Sequence, residues 1–246
     1  MTGGTDLAGS TDSGRGTAPA DAPRATRVTD LVRYQLALLL RSQRWLPPVL
    51  LFALLIVAGQ FGGQQYGDSL GWCAGMLVPC VGWLTRTVLT GEPDAARACV
   101  GAAAGPRRTH LAALLTALLV GAVLAAVAGV FEWLLSSPPP GLVHPPLAAI
   151  AVDGGSAVLI GLLAGAALGS LCAPPVLRRP ATGVLTLAAA SVVLLVAPGS
   201  PVNAAIRDAF TSGTADAATT FPALPLAGAV ALLAAGWAVS LSAARG

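Results

Sequence analysis

Six long apolar stretches separated by short polar connections, with almost all the arginine gathered into alternate connections, restrict this chain to a helical membrane protein. A helix needs about 17–25 apolar residues to cross the roughly 30 Å hydrocarbon layer. Within lipid each backbone N–H and C=O must be paired inside the segment, so stretches of this kind read as helices. The predicted spans cover residues 46–61, 69–89, 109–135, 147–172, 181–197 and 222–244. All 14 basic residues are arginine, and six crossings place every one except Arg207 on a single side. Positive charge collects in cytoplasmic loops. Both termini are therefore predicted to be cytoplasmic, in a multi-pass protein of a plasma membrane.

The expected fold class is all-α, six transmembrane helices preceded by an amphipathic interfacial helix. Residues 1–27 are polar and small and carry no apolar periodicity. Such a segment buries too little surface to offset its ordering entropy and is expected to be a disordered cytoplasmic tail, not a signal peptide. Residues 28–45 form the interfacial helix: Asp30, Arg33, Ala37, Arg41 and Arg44 recur at three- and four-residue spacing between leucines and valines. Trp45 marks the interface, and Pro47-Pro48 breaks the helix before the chain turns into the bilayer. Residues 46–246 make up the six-helix domain. Arg86, in the last turn of the second span, is expected to extend toward the cytoplasmic headgroups.

Two connections carry structure of their own. Gly91-Glu92-Pro93-Asp94 and Gly105-Pro106 bracket a short segment with an acidic, proline-marked start and a glycine-proline stop, which predicts a capped cytoplasmic helix. Glu92, Asp94 and Arg97 would orient contacts made by it. The outer connection, residues 198–221, has room for a second short helix over 202–210. Helix packing is written in the small residues. Gly161, Gly165 and Gly169, extended by Ala157, form a ridge in the fourth span. Gly121, Ala125 and Gly129 form a weaker one in the third, and Gly71 with Gly75 another in the second. These ridges either bury against neighbours in the same subunit or line a subunit interface.

Charged residues make up 10% of the chain, against about 25% in soluble domains, and the net charge of +3 lies in loops, so a nucleic-acid surface is not expected. Glu132 and Asp153 sit near the outer ends of their spans, where hydration satisfies them unless they face a shared polar cavity. His144 lies in a proline-rich loop. No hydrolase, metalloprotease or paired-carboxylate motif is present, so no catalytic, metal or cofactor-binding residue is assigned. Cys73, Cys80, Cys99 and Cys172 lack metal-ligand spacing and read as packing residues. A chain without lysine cannot build a phosphate-binding loop of the usual type. Active work would need energy from a second polypeptide or an ion gradient.

Two segments, LVRYQLALLLRSQRWLPP at residues 31–48 and LTGEPDAAR at residues 89–97, resemble actinobacterial permease subunits of ABC-2-type ATP-binding cassette transporters. The layout from about residue 28 onward is similar as well. The resemblance implies an interfacial helix before six spans, a permease paired with itself or a sibling, and two ATPase subunits that bind the ATP. It implies further that the cytoplasmic loop at residues 92–104 acts as a coupling helix seated on the ATPase, and that transport runs outward. Lipids are the other expected partner. Two other classes stay open at this point: a six-span scaffold or regulatory subunit without a transport path, and a stand-alone ion-coupled carrier.

Overall fold

The computed structural model describes residues 27–60, 64–137, 146–177, 179–212 and 221–244. The expected tail, His144, Arg178 and Arg245 lie outside the described residues, apart from Arg27 at the tail's edge. The described chain is helical, in the order α1 (Val28–Ser42), α2 (Leu46–Gly59), α3 (Tyr66–Thr90), α4 (Asp94–Ala104), α5 (Pro106–Leu135), α6 (Leu147–Leu171), α7 (Pro180–Val196), α8 (Pro201–Thr211) and α9 (Ala223–Ala243). Four of these, α3, α5, α6 and α9, are long and apolar enough to cross a membrane. Two bent pairs, α1 with α2 at 76° and α7 with α8 at 48°, pass the same test only when each is taken together.

That result revises the first span. The helix α2 has 14 residues, about 21 Å at 1.5 Å per residue, and falls short of the hydrocarbon thickness alone. The break before it also differs from the expected one. Helix α1 ends at Ser42 because Gln43 takes a left-handed conformation (φ 54°). Pro47 and Pro48 then fall in the first turn of α2, where a missing N–H costs nothing.

Helix α3 is the axis of the bundle, lying against α6 along its length and also touching α2, α5, α7 and α8. Of its most apolar stretch 72% is buried, against 17% for α9, which packs on α6 and α8 at the edge. Small residues make the α3–α6 approach possible. Gly161 faces the Ala74 backbone, Gly165 the carbonyls of Leu77 and Val78, and Gly169 the carbonyl of Gly82, so a side chain at any of them would overlap main chain. The fourth-span ridge thus packs within the subunit, on α3. Gly121 of α5 is closed off by Leu162 and Val81, whereas Gly129 has nothing within 4 Å.

The remaining faces are apolar and open. On α5, Leu119, Val123, Val127, Val130 and Leu134 repeat at helical spacing and are 49–74% exposed. On α7 only Gly183, Leu187 and Ser191 are buried, one residue per turn. A soluble protein seldom shows apolar stripes this long; hydrocarbon covers them without cost.

Candidate functional site at the arginine-rich end

The last turns of α3, α6 and α9 and the first turns of α5 and α7 meet at one end of the bundle. Arg86 reaches from α3 to the carbonyls of Cys172 and Pro180, His110 of α5 reaches Ser240 of α9, and Gln35 of α1 reaches Glu92. Arg97, Arg107, Arg108 and Arg179 belong to these same elements and their joints. Arg207 sits on α8, which packs against the first turns of α3 at the opposite end, where Phe210 covers Gly71. Among the described arginines, Arg207 thus lies at the end of the bundle opposite Arg86, Arg97, Arg107, Arg108 and Arg179.

At this end α4 stands where the acid–proline–glycine pattern marks it. Pro93 occupies the N-cap position, Asp94 opens the first turn, and Gly105 stops the helix with φ +88° before Pro106 starts α5. None of its residues is buried. Asp94, Ala95, Ala98, Cys99, Ala102 and Ala103 present a small, nearly uncharged surface.

The root of this helix is bolted down. Glu92 is only 6% exposed, and its two carboxylate oxygens accept from Tyr34 Oη and Gln35 Nε2, each at 3.1 Å. Arg97 turns back and donates through Nη2 to the carbonyls of Leu89 and Glu92, each at 3.1 Å. Those carbonyls belong to the end of α3 and its connection, where unpaired C=O groups and the helix dipole favour a cation. Partial burial, and then the Glu92 hydrogen bond and charge, push the Tyr34 phenol above its ordinary value. Of the three residues expected to orient outward contacts, only Asp94 faces out. Glu92 and Arg97 spend their polar groups on α1 and α3. Tyr34 and Gln35 were not anticipated as site residues. The available signal was Gln35 itself, a polar residue four positions from both Leu31 and Leu39 on the buried face of α1.

A cavity of about 250 Å³ opens behind α4, lined by Gln35, Glu92, Arg97, Thr109 and His110 and by the Pro174-Pro175 connection. His110 Nε2 lies 2.6 Å from Ser240 Oγ and joins α5 to α9 along one wall.

Arg86 departs from the expected outward course. It is 7% exposed, its guanidinium donates to Cys172 O at 2.5 Å and Pro180 O at 2.8 Å, and Gly183 leaves it room. It satisfies the end of α6 and ties it to α7, a better outcome for a buried cation than headgroups at the end of a long side chain. Cys73, Cys80 and Cys172 are buried and Cys99 is exposed.

At the opposite end, α8 forms over Pro201–Thr211 with Ser200 capping it and Asn203 donating to the last turn of α7 (Leu195 O, 2.6 Å). Glu132 and Asp153 have different surroundings. Glu132 is completely buried, whereas Asp153 is half-buried and faces the charge of Asp208 on α8. Comparison with protein-family models, with curated proteins and with solved structures finds no significant match.

Proposed function

We propose that this chain is the transmembrane, permease-type subunit of an ATP-binding cassette transporter, working as an exporter with ATP bound and hydrolysed on a separate ATPase. In this reading the arginine-rich end is cytoplasmic, six spans cross a bacterial plasma membrane, and the permease pairs with itself or a sibling. No catalytic residue is assigned to the chain. The observation that carries the reading is α4, a helix with no buried side chain whose root is fixed to α1 by Glu92 and to α3 by Arg97. A free helix would swing and transmit nothing. One rigidly joined to the axial helix, and running directly into α5 through Gly105, passes a push from a partner into the bundle.

The test separates docking from folding. Ala98→Glu and Ala102→Glu place charge on the exposed face and are expected to reduce co-purification of the ATPase at least tenfold. Their unfolding midpoints in detergent should stay at the wild-type value, because surface substitutions of this kind cost within about 0.5 kcal/mol. Full retention of the ATPase by both variants would remove α4 as the docking element. Glu92→Ala is expected to act differently. It strands the buried Gln35 donor, while the exposed Tyr34 hydroxyl turns to solvent, and lowers stability by about 1–3 kcal/mol, measured by thermal unfolding. A second reading, the ion-coupled carrier, draws support from the buried Glu132. Transport by the chain alone in sealed vesicles, without any ATPase, would favour it.

A further inference from the structure

We propose that Glu132 is a proton-binding site, and that its bound proton closes the end of the bundle opposite α4, independently of whether an ATPase drives the protein. Glu132 lies in the last turn of α5 with no accessible surface. Gln60, just beyond α2, donates through Nε2 to one carboxyl oxygen, Oε2. The other oxygen, Oε1, is buried with no partner, and so is Oε1 of Gln64. One proton on Glu132 turns its orphan acceptor into a donor. The hydroxyls of Ser69 and Ser136, 2.6 Å apart, complete the polar cluster, with Ser136 Oγ also 2.6 Å from the Glu132 carbonyl.

A charged Glu132 would have two neutral donors, the Gln60 amide and the Ser69 hydroxyl. No arginine among the described residues pairs with Glu132. Helix α3 brings the Cys73 thiol within reach of its charge, and Tyr66 and Asp68 at its start. Helix α6 offers only Asp153, and α2 and α9 carry no ionisable side chain. The arginines and Asp94 of α1 and α4 are at the far end. The carboxyl also sits at the C-terminal end of α5, where the dipole opposes negative charge. An isolated carboxylate in such a place binds a proton instead of staying charged. Losing that proton to water would leave a buried charge with two neutral donors and no cation, so the seam of α2, α3 and α5 would have to admit solvent.

Glutamate occurs only at positions 92 and 132, which makes the site directly observable. The protein, labelled with carbon-13 at the glutamate side-chain carboxyl and held in lipid nanodiscs, should give two carboxyl signals by solid-state NMR. Glu92→Gln and Glu132→Gln each delete one, so assignment survives if either variant folds poorly. At neutral pH the Glu132 signal is expected at the position of a protonated acid, moving to the carboxylate position as pH is raised, unaffected by sodium. A Glu132 signal already at the carboxylate position at neutral pH would overturn the proposal. A signal shifted by sodium at constant pH would overturn it too, replacing the proton with a metal cation.

Discussion

Gly161→Val is expected to push α3 and α6 apart and to produce the largest loss of stability of any single substitution in the helix seam. The new side chain would point at the Ala74 backbone, which unlike a flexible side chain cannot move aside. Overpacking a tight core costs about 1–3 kcal/mol, and a clash with main chain stands at or above the top of that range. Between helices in lipid, close packing supplies most of the contact energy. Gly155, on the same helix, has nothing within 4 Å. Gly155→Ala should therefore keep or gain stability, by up to about 1 kcal/mol from helix propensity. Thermal unfolding of the two variants in one detergent makes the comparison. Equal destabilisation by both would mean that α6 does not present its glycine ridge to α3.

Arg86→Ala should be the most damaging change at the arginine-rich end. It leaves the buried Cys172 carbonyl without its donor, a loss of about 1–3 kcal/mol, and removes the bond to Pro180 O that ties α3 to α7. Arg86→Lys should recover part of this, because an ammonium replaces the charge but not the two-pronged geometry. Gly183→Ala should resemble Arg86→Ala, since its methyl would occupy the space of the guanidinium and of the Cys172 carbonyl. Unfolding midpoints of the three variants test the set. Wild-type stability in Arg86→Ala would return the side chain to the headgroups.

These two cases differ in how far the sequence could anticipate them. The four-residue repeat of glycine at 161, 165 and 169 marks one helix face, and the structure buries that face; only the identity of the opposing helix needed three dimensions. The start of α4 and its stop at Gly105 were equally visible, because capping is local chemistry. Arg86 was not. An arginine near a span end has the same sequence signature whether it reaches outward or turns in, and its acceptors lie 86 and 94 positions away. Glu92 is similar: an acid beside proline reads as a solvated cap, and the Tyr34 that claims it is 58 positions earlier. Glu132 lies one turn from the end of α5, where hydration is the simpler expectation, and only the fold around Gln60, Ser69 and Ser136 removes the water. The short α2 was hidden for another reason. Its apolar run continues to Phe61, but the helix stops at Gly59, where Trp72 packs so closely that a side chain would collide.

The most direct test of the transporter reading uses Cys99, which is exposed on α4 while the other described cysteines are buried. A photo-crosslinker attached to Cys99, in membranes co-expressing the cassette ATPase encoded nearest to this chain, should capture that ATPase, with a yield that changes when ATP is added. Efficient labelling of Cys99 with no capture of this or any other cassette ATPase would contradict the account and leave α4 without the partner proposed for it.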